Sequence, residues 1–155
     1  AFGARALGHR SVVCDPSNEA TVLKVKEKVK QRDDFMPLAP AISPAVAQEL
    51  RSSPLSETMT LAPILPDLWR REFGQSMHID GSARIQVCDA NSMMGRVVEE
   101  FAAKTSRRAI INTSFNKRGE PIVESPAEAL KATAALGIDA LVLEDMVIEA
   151  DAIRK

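Results

Sequence analysis

The sequence predicts an α/β domain, a mixed sheet flanked by helices. Three observations carry that expectation. Short apolar runs rich in β-branched residues, such as "SVVC" and "AIIN", alternate with stretches whose apolar residues recur at helical spacing. Two of those stretches open on Ser-Pro, at Ser43 and Ser125, the spelling of a capped helix start. A chain of 155 residues with 45% hydrophobic content can bury one core, so a single domain over residues 1–155 is expected.

Taken in order, "SVVC" at residues 11 to 14 fits a buried strand. In "DPSNEATVLKVKEKVKQR", Asp15 or Ser17 can cap a helix that ends near Lys30 and gathers Val22, Val25 and Val29 on one face. The alternating lysines also permit a strand, and taken alone they are a solvated face. Pro37 and Pro40 impose an extended passage, after which "SPAVAQEL" reads as a short helix capped by Ser43. From Arg51 to Met77 the assignment is hardest: "MTLAPIL" is a strand interrupted at Pro63, and "DLWRREFG" has room for one or two helical turns. "ARIQVC" sets Ile85 and Val87 against Arg84, Gln86 and Cys88, as a strand with one polar face does. Met94, Val97, Val98 and Phe101 form the stripe of an amphipathic helix that leads into the "AIIN" strand. Ser125 to Glu128 spells a capping box for a helix that stops at Gly137, and "ALVLEDMVIE" closes as one strand or as two around Glu144 and Asp145.

The formal net charge of −1 excludes a global pull toward nucleic acid or an anionic membrane, so an electropositive site has to be local. No apolar run approaches the roughly 18 residues of a membrane span and no signal peptide opens the chain, so a cytoplasmic protein is expected. Cys14 and Cys88 are too few for a disulfide framework and read as small buried hydrophobes; His9 and His78 are isolated as metal ligands. The chain begins on Ala1, without a methionine, and is expected to be part of something longer.

Chemistry concentrates in separated basic phrases: Arg5 and Arg10, then Lys30 and Arg32, then Arg84, then Lys117 and Arg118. Each sits at the edge of an expected element, where loops and ends meet on one rim of a sheet. Arginine forks bind phosphate or carboxylate oxygens in bidentate fashion, and lysine adds a point charge. The polar cluster that follows "AII", from Asn112 through Thr113 and Ser114 to Asn116, supplies neutral groups to complete such an anion site. Residue by residue, the blander readings are equally open: Thr113, Ser114 and Asn116 can satisfy a turn, and Arg84 can pair with Asp80 or Asp89. No spacing matches a P-loop or a dinucleotide fingerprint.

The phrases "FGARALGHRS", "KVKQRDDFMPLAP", "HIDGSARIQ", "INTSFNKRGEPIVESPAEAL" and "LGIDALVLED", in that order, resemble the carboxy-terminal domain of the O-carbamoyltransferases of the NodU type. The likeness runs from Phe2 to about Val147 and is weakest between Arg51 and Gln75. It implies a YrdC-like fold, a twisted mixed sheet, and an absent amino-terminal Kae1-like domain as partner. It further implies that this domain binds carbamoyl phosphate and ATP, the latter with Mg2+, and forms carbamoyl adenylate for transfer to an acceptor hydroxyl. A lysine-x-arginine signature coupled to serine-x-asparagine is part of that pattern, and Lys30, Arg32, Ser114 and Asn116 match it. By the same match the catalytic pair Lys30 and Arg32 would neutralise phosphate charge, Ser114 and Asn116 would position phosphate or nucleotide, and Arg5, Arg10, Ser11, Arg84 and Thr113 would contact substrate. Ala4, His9 and Met36 depart from the family's usual proline, asparagine and arginine. Phosphoryl and adenylyl transfer depend on positioning and charge stabilisation, so no protein nucleophile is required.

Two other functions compete with this one. An RNA-binding YrdC-like module is disfavoured by the balanced charge and by six aromatic residues without a stacking platform. A non-catalytic docking domain for the Kae1-like partner would have the same fold and an incomplete site.

Overall fold

The computed structural model describes residues 7–33, 35–50 and 59–153. Strands β1 (Ser11–Cys14), β2 (Pro40–Ile42), β3 (Gln86–Val87) and β4 (Ala109–Ser114) form one sheet in the order β1-β4-β2-β3. β4 pairs antiparallel with both β1 and β2, and β3 lies parallel to β2, so the sheet is mixed as expected. The closing segment folds as a separate hairpin of β5 (Ala140–Leu143) and β6 (Met146–Glu149), turning at Glu144 and Asp145.

Helix α1 (Glu19–Leu23) runs without a break into a π-helical turn at Lys24–Lys30. Its cap is Asn18, whose side chain accepts from the Thr21 N–H, rather than Asp15 or Ser17. Asp15 Oδ1 instead accepts from the Ser17 N–H and hydroxyl in a turn of its own, which leaves the next residue to start the helix. α2 (Pro44–Glu49) is capped by Ser43; α3 (Arg70–Phe73) is a single turn between two 3-10 turns; α4 is Met93–Thr105. α5 (Pro126–Leu136) begins at the Ser125 cap and ends at Gly137 in the left-handed conformation, and α6 is Ala150–Ile153.

The alternation along β4 divides the core. Ile111 joins Val12, Val22, Val25, Val29, Leu38 and Leu136 beneath α1 and α5. Ile110, on the other face, packs with Ala41, Met94, Val98 and Cys88. Ala109 belongs to a third group around Ile42, Trp69, Phe73 and Ile85, where the Trp69 and Phe73 rings meet edge to face at 5.9 Å. The α4 stripe is narrower than its spelling suggests: Met94 and Val98 are buried, while Val97 is exposed.

Two readings of the middle region change in detail. Only Gln86–Val87 of "ARIQVC" joins the ladder, and of "MTLAPIL" only Ile64 forms a bridge, to Ser82. Side-chain alternation nevertheless persists through 83–88, because Ile85 enters the core while Arg84 and Gln86 face a cavity. Gly74 is where this region crosses the start of the chain. Its φ is +43°, and a Cβ there would lie 2.4 Å from the Pro16 carbonyl oxygen, so only glycine fits. Among the described residues, no helix is long and apolar enough to cross a membrane.

Candidate active site

Four segments bring polar side chains to one rim of the sheet. β4 runs from Ile110, covered by α4, to Asn112 and Ser114 on the same face, and these two line a cavity of about 160 Å³. The start of β1 contributes Ser11, opposite Ser114, and the residue before it, Arg10. Arg84 and Gln86 arrive from the approach to β3 and its first residue, and Arg32 from just beyond the π-helical turn. Three arginines from three distant stretches therefore face one space, together with Ser11, Thr113 and Ser114. Arg10 is braced from behind, where its Nη1 donates to the Val123 carbonyl at 3.3 Å. Asp80 and Asp89 are engaged elsewhere, accepting from the Ser82 and Asn91 N–H groups.

The lysine-x-arginine phrase owes its geometry to the way its helix ends. Five residues of α-helix would turn Lys30 through about 500°, roughly 140° away from the face of Val25. The wider π-helical winding bonds residues five apart and brings Lys30 onto the buried side with Val25 and Val29. Gln31 then takes a left-handed conformation, φ +46°, which stops the helix and sends Arg32 toward the cavity. The Gln31 carbonyl is held by Arg118 Nη1 at 2.7 Å.

Lys30 and Asn116 lie behind the cavity wall and bind each other. Lys30 is only 6% exposed, and its Nζ sits 2.6 Å and 2.8 Å from the Ser114 carbonyl and hydroxyl, and 3.0 Å and 2.7 Å from the Asn116 carbonyl and side-chain oxygen. Its three protons are matched to four protein oxygens. The Ser114 hydroxyl also donates to Asn116 Oδ1 at 2.6 Å, and Asn116 Nδ2 donates to the Glu120 carbonyl. Burial, with the neighbouring Arg32 charge second, pushes the Lys30 ammonium down to about 8.

Of the residues expected to form the site, the cavity thus gathers Arg10, Ser11, Arg32, Arg84, Thr113 and Ser114, and sets Lys30 and Asn116 behind Ser114. Arg5 lies outside the described residues. Gln86 was not singled out beforehand, although its place on the polar face of "ARIQVC" was the signal that could have found it. Among the described residues no group of three or more His, Cys, Asp or Glu could hold a metal ion.

The carbamoyltransferase C-terminus family matches residues 1–150. The nodulation protein NolNO of Sinorhizobium fredii is 32% identical over 96% of this chain, and NolO of Bradyrhizobium diazoefficiens is 31% identical over 92%. The 3'-hydroxymethylcephem-O-carbamoyltransferase of Amycolatopsis lactamdurans is 29% identical over 93% of the chain. The aligned region makes up 23%, 27% and 28% of these three proteins, so the chain spans about a quarter of the length of the curated relatives it matches. On the family match over nearly its full length, the chain belongs to the carbamoyltransferase C-terminal family.

Proposed function

We propose that the arginine-lined cavity binds carbamoyl phosphate and that the chain, with ATP, forms carbamoyl adenylate. The observation that carries this reading is the convergence of Arg10, Arg32 and Arg84 on one small space beside three hydroxyl groups. Guanidinium forks and hydroxyl donors are what a phosphoryl group needs to be held and its charge spread. Arg5 adds a further cation from the amino-terminal motif. Lys30 and Asn116 act on Ser114, whose hydroxyl accepts from Lys30 and donates to Asn116, and so fix the end of β4 before substrate arrives.

Carbamoyl adenylate forms when a carbamate oxygen bonds to the α-phosphorus of ATP and the bond to the β-phosphate breaks. Pyrophosphate leaves; the carbamate itself arises when one water cleaves the linkage between the carbamoyl and phosphoryl groups of carbamoyl phosphate, releasing inorganic phosphate. Magnesium would come with the nucleotide. In this reading residues 1–155 are the carboxy-terminal, YrdC-like part of a longer cytoplasmic enzyme, whose Kae1-like domain passes the carbamoyl group to an acceptor hydroxyl.

The test is pyrophosphate release from ATP by the chain, with and without carbamoyl phosphate, alongside Arg32→Ala and Arg84→Ala. Release that requires carbamoyl phosphate and falls at least about tenfold in both folded variants is expected. A folded chain that binds neither ligand, or release indifferent to both arginines, would overturn the reading.

A further inference from the structure

Arg118 is not among the residues lining the cavity; it sits on an exposed turn, and its guanidinium reaches across to the backbone that delivers Arg32. The peptide unit between Gln31 and Arg32 is held at both ends. Its N–H donates to the Lys26 carbonyl at 3.1 Å, and its carbonyl accepts from Arg118 Nη1 at 2.7 Å. The unit follows a residue at φ +46° and ψ +50°, a conformation that residues other than glycine adopt reluctantly. Releasing its carbonyl would let the unit turn and carry the start of Arg32 with it. The turn that bears Arg118 is itself well held: the Glu120 N–H donates to the Lys117 carbonyl, Gly119 takes φ +80°, and Asn116 Nδ2 donates to the Glu120 carbonyl at 2.7 Å. One loop therefore clasps both residues of the lysine-x-arginine phrase, the Lys30 side chain through Ser114 and Asn116 and the backbone before Arg32 through Arg118.

From this geometry we infer that Arg118 is a positioning residue: it sets the direction in which Arg32 enters the cavity and acts on the bound anion only through Arg32. The inference rests on the cavity being the carbamoyl phosphate site. A guanidinium suits the task, because it stays charged at any working pH and a charged donor makes a strong hydrogen bond to a neutral carbonyl. The direction matters because a fork that grips an oxyanion through two N–H groups has to arrive within a narrow range of angles. An Arg32 on a loosened backbone keeps its charge and loses that grip. An exposed cation that merely raised the local positive potential would behave differently: its contribution would not depend on Arg32, and salt would screen it.

The experiment is NMR titration of the isotope-labelled full chain with freshly dissolved carbamoyl phosphate, which follows binding into the millimolar range and shows from the spectrum that each variant folds. It compares the unaltered chain with Arg118→Ala, Arg32→Ala and the double variant. Arg118→Ala is expected to bind about tenfold more weakly, the worth of one charge-assisted hydrogen bond, and Arg32→Ala at least as weakly. The double variant should match Arg32→Ala within about twofold, because two residues that act as a unit are not additive. The ratio between the unaltered chain and Arg118→Ala should also hold as salt rises from about 0.05 M to about 0.5 M. Affinity within about twofold of the unaltered chain in folded Arg118→Ala overturns the inference and leaves the anion site standing. So does a tenfold loss that recurs in full on the Arg32→Ala background, or one that salt abolishes, since either would make Arg118 an independent contribution to the anion. If the unaltered chain binds no carbamoyl phosphate, the proposed function fails and this inference fails with it.

Discussion

Replacing Lys30 by methionine keeps most of the aliphatic stem and deletes the ammonium that Ser114 and Asn116 share. Three protons can be donated into the four oxygens 2.6–3.0 Å away. At about 1.5 kcal/mol for each bond to a charged donor, they contribute roughly 4–5 kcal/mol. Removing the charge also relieves its burial, the effect that pushes the lysine down to about 8. The variant is therefore expected to lose about 2–3 kcal/mol at pH 7, or about 4–12 °C in Tm for a chain of this length. Urea unfolding followed by circular dichroism measures it. A loss below about 0.5 kcal/mol would refute the argument, since it would mean that Ser114 and Asn116 hold each other equally well without the lysine. The pH dependence has a definite sign. Between about 8 and 10.5 the unfolded chain binds more protons at this lysine than the folded one, so the unfolding free energy rises with pH across that window. The gap between the original chain and Lys30→Met should therefore widen from pH 8 toward 10.5. A gap that narrows would show that the folded chain holds this proton more tightly than the unfolded one, against the lowered value.

Gly74→Ala should destabilise the fold by about 2 kcal/mol or more, measured by the same unfolding curves, because the new Cβ meets the Pro16 carbonyl at 2.4 Å and φ is +43°; an unchanged midpoint would show that the crossing relaxes freely. Arg108→Met removes ion pairs to Glu49 and Glu72 at 2.7 Å and 2.9 Å and a guanidinium stacked 4.2 Å from the Trp69 ring. With solvent screening at that partly exposed site, the loss should be about 1 kcal/mol and should shrink in high salt; a salt-independent loss would assign it to packing on Trp69. Burial pushes Cys14 up to about 12, with Asp15 adding to it, and Cys88 up to about 11. A thiol reagent at pH 8 should therefore label the native chain slowly and both cysteines promptly in denaturant; fast labelling of the native state would contradict that burial.

Much of the fold was legible because local chemistry and tertiary structure agree. "SVVC" and "AIIN" became β1 and the core of β4, and Ser43, Ser125 and Gly137 bound the helices their spelling announces. The opening and closing segments of the middle region were less legible, since Pro63 and Pro66 break the ladder and single bridges leave no periodicity to read. The lysine run was ambiguous for a different reason. Its alternation suits a strand, and only the hydrogen-bonding of a π-helical turn, invisible in residue types, puts Val25, Val29 and Lys30 on one side.

By itself the sequence determined which residue types could hold an anion, and the order of the phrases that carry them, because side-chain chemistry and capping preference are local properties. What only the tertiary structure decided is how those residues divide between two jobs. Arg10, Arg32 and Arg84, far apart in the chain, face one cavity because β1, β4 and the approach to β3 end on the same rim of the sheet. Lys30 and Asn116, as polar as the rest, are turned inward onto Ser114, because a left-handed residue at Gln31 points successive charges in opposite directions. Direction depends on backbone winding and on which strand lies beside which, and those are set by contacts between residues that the sequence keeps far apart.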